Sequence, residues 1–228
     1  MNETTSAGAT ATKVERRAAT PVAGATAGIL FAALFSVSVG TIHANLPDLS
    51  RDTGAGLETG AGRIKIAVAL LPFAGLFFLW FIAVARQRLG RFEDQFFATV
   101  FIGSGLLFLA MMFAAAATAA ALIAVYARDP SGLPGSITYL YARHVIAQIF
   151  SVYALRMAAV FMISQATLWM RSGVMPRWMA LLTIGLALVL LFIFTQSAWV
   201  IMVFPAWVFM VSVYILVAHL GGRAPSAA

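Results

Sequence analysis

Cysteine is absent from the chain, which excludes disulfides, thiolate metal sites, c-type haem attachment and a cysteine nucleophile. Charge is scarce as well: 10% of the 228 residues are Asp, Glu, Lys or Arg, whereas soluble domains carry about 25%. Acids number eight, and none falls inside a long apolar stretch. The sequence also lacks a P-loop, a dinucleotide glycine fingerprint, a G-x-S-x-G elbow and an H-E-x-x-H pair. Without paired acids there is little room for two-carboxylate or acid-base hydrolysis. An enzyme is the minority reading, and no cofactor is expected.

What is present is apolar. Hydrophobic residues make up 62% of the chain and the mean hydropathy is +0.93, the composition of an integral membrane protein of the all-α class. The net charge of +7 and pI near 10.6 belong to short loops beside apolar spans, so the expected partner is the lipid bilayer and its anionic headgroups. No basic groove with interleaved aromatics points to nucleic acid.

Residues 1–20, rich in Ser, Thr, Ala and Gly, read as a disordered cytoplasmic tail. Residues 21–220 read as a transmembrane domain with spans at about 22–45, 64–85, 96–126, 145–169, 178–194 and 198–220, followed by a short cytoplasmic tail at 221–228. The stretch from Trp178 to Leu220 is too long for one crossing: its 43 residues would extend about 65 Å as a helix, roughly twice the hydrocarbon core. The polar triplet Thr195, Gln196 and Ser197 is the expected turn, giving a six-helix bundle. The first span is also longer than the ~7 to 15 apolar residues of a typical secretory signal, which disfavours cleavage after Ala44.

Charge counting provides an independent topology. Lys13, Arg16, Arg17, Arg86, Arg88, Arg91, Arg171, Arg177 and Arg223 fall on one side, nine in all, against five on the other: Arg51, Arg63, Lys65, Arg128 and Arg143. The positive-inside rule then places both termini in the cytoplasm. Pro72 and Pro205 fall inside spans, where they are candidate helix breaks.

The remaining cation, Arg156, lies 13 residues after Arg143 and 15 before Arg171, which puts it about 20 Å from either end of its span. An arginine at that depth costs ~2.5 kcal/mol or more if it faces lipid. With no intramembrane acid available, its guanidinium must use neutral oxygens, water or an external anion. Arg156 is the candidate contact for an anionic or carbonyl-bearing ligand, with Tyr153 and Gln148 as accompanying hydrogen-bonding groups; the competing reading is a staple between helices. His43 and His144 both fall at the outer boundary, near Asp48, Asp52, Glu58 and Asp129, and are candidate metal ligands. Gly24 and Gly28 form a G-x-x-x-G, and Ala114 to Ala121 give the third span a smooth surface for close helix packing.

The segments "FLWFIAVARQRLGRFEDQFFATVFIGSGLLF" and "LRMAAVFMISQATLWMRSGVMPRWMA" resemble those of uncharacterised small multi-pass membrane proteins of high-GC bacteria. That resemblance implies a helical bundle in a bacterial inner membrane and carries no activity or site residues. Three functional readings follow. The leading one is an accessory, sensor or assembly component that depends on a membrane-protein partner or on self-association. The second is a small transporter or lipid- or quinone-binding protein using Arg156, and the third an outer-face metal-dependent enzyme using His43 and His144. A transporter should enclose a polar cavity reaching Arg156; a structural bundle should surround that residue with hydrogen-bond acceptors.

Overall fold

The computed structural model describes residues 3–46, 56–89, 95–173, 175–192 and 198–220, with side chains for 22–46, 56–86, 96–173, 175–192 and 200–220. Every regular element among them is helical: α1 (Glu3–Asn45), α2 (Gly56–Leu89), α3 (Gln95–Tyr126), α4 (Ile137–Gln148), a π-helical turn (Ile149–Ala154), α5 (Leu155–Ser172), α6 (Arg177–Phe192) and α7 (Ala198–Leu220). Five stretches are long and apolar enough to cross a bilayer: Val22–Asn45, Gly56–Arg86, Phe96–Tyr126, Ile137–Ser172 and Val200–Leu220. The 16 residues of α6 extend only about 24 Å, short of the ~30 Å hydrocarbon core. The Thr195–Ser197 turn lies outside the described residues.

Three helices begin earlier than hydropathy places them. α1 starts at Glu3, within the stretch read as a tail; once an apolar helix is nucleated, adding alanine-rich turns to it costs little. α2 starts at Gly56 rather than about residue 64. α4 starts at Ile137 rather than about residue 145, because Ser136 caps it: the serine hydroxyl accepts a hydrogen bond from the Tyr139 amide at 3.2 Å. Gly135, at φ 76°, turns the chain into that cap. α4, the π turn and α5 then form one continuous span. At its far end Gly173 adopts φ 65° and its amide bonds the Trp169 carbonyl at 3.0 Å, a glycine C-cap with Pro176 shortly beyond.

Neither interior proline interrupts its helix: α2 runs through Pro72 and α7 through Pro205. Expected as helix breaks, they instead each delete one backbone donor and leave the carbonyl four residues earlier without its helical partner.

The helices pack as an antiparallel bundle in which α1 lies against α2 and α7, while α5 lies against α3 and α6. One end, the upper end here, holds the C-termini of α1 and α3 and the N-termini of α2, α4 and α7. The G-x-x-x-G of α1 serves this bundle internally: a side chain at Gly24 would collide with Val84 of α2, and one at Gly28 with Phe81 of α2 and Ser212 of α7.

At mid-height the core is aromatic. Phe31 lies 4.7 Å from Phe78, Phe78 lies 5.4 Å from Phe108, and Phe108 lies 4.7 Å from Phe204, joining α1, α2, α3 and α7. Phe161 of α5 stacks on Phe101 at 4.6 Å and meets Phe78 at 5.3 Å. Below this plug, Trp207 Nε1 donates to the Thr183 hydroxyl at 2.9 Å, tying α7 to α6, and Thr183 donates to the Met179 carbonyl at 2.8 Å. Arg171 sits 4.5 Å over the Phe97 ring and ties the lower end of α5 to the start of α3.

Candidate functional site

Above the aromatic plug the bundle opens into a cavity of about 80 Å³ that is open on one side, room for several water-sized groups. Its existence follows from small side chains on α3. Ala115, Ala116 and Ala119 form one wall, all of them buried, where larger residues would close the space. Opposite them α1 contributes Val39, Ile42 and His43, and Phe150 and Ser151 of the π turn close another side. Phe150 lies tilted against Phe35 at 6.1 Å, and Phe35 lies 6.0 Å from Phe108, so the cavity floor adjoins the top of the aromatic plug.

Arg143 supplies the cationic group. It lies one turn past the buried Tyr139, on the inward face of α4, and is itself only 6% exposed. Its Nη2 donates to the Leu46 carbonyl at 3.2 Å. Leu46 ends the helical run of α1, its own amide bonding the Ile42 carbonyl at 2.8 Å, so its carbonyl belongs to the set that a helix C-terminus leaves unpaired. The partial negative charge there favours a cation. Arg143 thus caps α1 across 97 residues of sequence while lining the cavity. Its guanidinium has five donors, enough for both roles.

His43, half-buried in the last turn of α1, lines the same cavity. Ser151 is the third polar side chain in the wall. Ile201 of α7 also lines it, and its carbonyl is the one that Pro205 deprives of a donor. The wall is otherwise aliphatic or aromatic, and no carboxylate faces it among the described residues.

The residues singled out in the sequence are distributed differently. Arg156 is half-buried, and its Nη1 donates to the Val152 carbonyl at 2.7 Å, one turn back and inside the π stretch. Tyr153 is 57% exposed and Gln148 is exposed as well; none of these three lines the cavity. His144, next to Arg143 in sequence, faces outward, with Nδ1 donating to the Leu140 carbonyl at 2.8 Å. His43 lines the cavity and His144 does not. Among the described residues no three of His, Asp and Glu come together as metal ligands, and Asp48 and Asp52 fall outside those residues.

Arg143 and the alanine wall are what sequence reasoning passed over. The signal for Arg143 was Ser136, whose capping position makes residue 143 an inward helical position rather than a loop cation. The alanines were visible as a smooth surface, but a smooth surface reads equally well as a packing face.

Among the described residues these features define a helical protein with five membrane-length apolar helices and an apolar cavity that has a buried guanidinium in its wall. No protein-family model, no curated protein and no solved structure matches the chain.

Proposed function

We propose that this protein binds an amphiphile: a membrane-resident molecule whose apolar body lies along the α3 alanines and whose anionic or carbonyl head meets Arg143 and His43. The observation that carries the reading is the burial of Arg143 in the wall of an otherwise apolar cavity. Buried charge is tolerated where hydrogen bonds compensate it. The Leu46 carbonyl occupies one donor direction, and a ligand head oxygen beside the guanidinium would add the short, strong bond of a charge-assisted pair.

In this reading the chain is a six-span protein of a bacterial inner membrane, with α6 as the short sixth crossing and both termini cytoplasmic. The nine-to-five distribution of cations supports that orientation, which puts the cavity in the outer half of the bilayer. The aromatic plug beneath the cavity favours ligand holding over through-transport.

Thermal unfolding in detergent, followed by tryptophan fluorescence, tests the proposal with three probes: a long-chain fatty acid, an isoprenoid quinone and an alkane of matched length. At a hundredfold excess over Kd a bound ligand stabilises by about 2.7 kcal/mol. The fatty acid or the quinone should raise Tm, the alkane should not, and Ala116→Phe, which fills the cavity, should abolish the rise. Equal stabilisation by the alkane, or a rise that survives Ala116→Phe, refutes the proposal.

A further inference from the structure

α4 and the π turn present one stripe to the cavity: Arg143, Ile146, Ala147, Phe150 and Ser151 line it. Ser151 follows Arg143 by eight residues, about 12 Å along a helix axis. In an unbroken α-helix, at about 100° per residue, it would sit roughly 80° away from the line of Arg143. The π turn reduces that offset. The Leu155 amide reaches back to the Phe150 carbonyl, five residues earlier, and a turn closed by such longer bonds holds more residues, so each rotates less. Ser151 is thereby brought back beneath Arg143. The cavity then has polar groups at two depths, Arg143 and His43 above and Ser151 at the floor beside Phe150.

The Ser151 hydroxyl differs from most others in these helices. Ser104, Thr118, Ser164 and Thr167 each donate to a carbonyl one turn back, at 2.7 to 2.9 Å, the local way of satisfying a hydroxyl inside an apolar helix. Ser151, 8% exposed, makes neither that bond nor another among the described residues. Ser38, Ser172 and Ser212 have no partner there either, but none of them lines the cavity. A buried hydroxyl without a partner is costly, and at Ser151 the cavity leaves space for one from outside the chain.

Volume and depth agree on what that partner is attached to. The cavity's roughly 80 Å³ holds about five to eight water-sized groups at ~10 to 15 Å³ each. Allowing about 3 Å of the 12 Å rise for a hydrogen bond leaves about 9 Å between an oxygen at Arg143 and an oxygen at Ser151. An extended chain covers about 1.2 Å per bond, so about seven carbons span that distance.

Building on the amphiphile reading of the same cavity, we propose that its ligand is a hydroxylated long-chain acid, with the hydroxyl about seven carbons from the head, and that Ser151 selects for that hydroxyl. The carboxylate meets Arg143 and His43, the ligand hydroxyl exchanges a hydrogen bond with Ser151 Oγ, and the rest of the chain leaves through the open side.

The test compares hexadecanoic acid with the same acid hydroxylated at its seventh or at its terminal carbon, Kd being taken from the dependence of Tm on ligand concentration in detergent. The seventh-carbon acid should bind about fivefold more tightly than the other two, the contribution of one hydrogen bond. Ser151→Ala should erase that preference while leaving the affinity for hexadecanoic acid within about twofold, and Ser151→Thr should keep it. Without ligand, Ser151→Ala should melt no lower than wild type, because its hydroxyl is not engaged within the chain; a lower Tm overturns the proposal. Stabilisation by hexadecanoic acid with no preference for the seventh-carbon hydroxyl also overturns it and leaves the amphiphile reading standing, as does a preference that survives Ser151→Ala. Stabilisation by none of the three acids overturns it as well and, if the quinone is equally silent, removes the amphiphile reading with it.

Discussion

Replacing Arg143 by methionine removes the bridge between α4 and the end of α1 while keeping an unbranched apolar stem. Two contributions are lost. A hydrogen bond from a charged donor to the Leu46 carbonyl contributes about 1.5 to 3 kcal/mol, and the favourable placement of a cation at a helix C-terminus adds roughly 0.3 to 1 kcal/mol. Against them stands the desolvation of a guanidinium that is 6% exposed, which methionine relieves and which in some buried pairs exceeds the gain. Because a helix C-terminal carbonyl in an apolar setting is costly to leave without a donor, the losses should dominate, leaving a net destabilisation of about 2 kcal/mol. In a chain of this length that corresponds to a fall in Tm of roughly 4 to 8 °C, read by tryptophan fluorescence in detergent without added ligand. Arg143→Lys keeps the charge but loses the planar fork, and should lie between wild type and methionine. A Tm for Arg143→Met equal to or above wild type would show that burying the charge costs more than the cap returns. The account of Arg143 as a stabilising cap would then be wrong.

Two further substitutions probe the packing. Gly28→Val places a branched side chain against Phe81 and Ser212 and should cost about 1 to 3 kcal/mol by overpacking, seen as a lower midpoint in denaturant titration; an unchanged midpoint would refute the close α1–α2–α7 approach. Thr183→Val keeps the shape of the side chain but strands the Trp207 indole N–H in the core, at about 1 to 3 kcal/mol, and should shift the tryptophan emission because the indole loses its hydrogen bond; an unshifted spectrum would remove that bond from the account.

Much of the architecture was legible in residue patterns. The spans 22–45 and 96–126 coincide with apolar helices within a residue or so at each end, because long uninterrupted apolar runs have few alternatives to a membrane-length helix. The start of α4 was missed because hydropathy averages over Thr138, Arg143 and His144, whereas helix initiation depends on one side chain, Ser136. The prolines, candidate breaks in the sequence, lie within continuous helices, because a proline in a membrane-length apolar helix removes one hydrogen bond without ending the helix.

Chemistry was less legible than architecture. Arg156 stood out because it is isolated in sequence, and Arg143 did not because it borders a loop. Yet in the folded chain Arg143 is the more deeply buried of the two and is the one that lines the cavity. Isolation among apolar neighbours measures depth along a helix. It carries no information about which way the side chain points.

The amino-acid order alone carries the apolar class and the position along each run: too few charges and too many long apolar runs for an ordinary soluble domain, and one arginine half-way along an apolar run that contains no acid. Those properties depend on composition and on distance along a helix, both of which a linear sequence records. Which arginine faces inward, that three alanines of α3 enclose a space rather than fill one, and that the G-x-x-x-G of α1 is used within the chain were decided by how the helices rotate and close on one another. Such facts join residues as far apart as Leu46 and Arg143, and no local pattern encodes the rotation that brings them together.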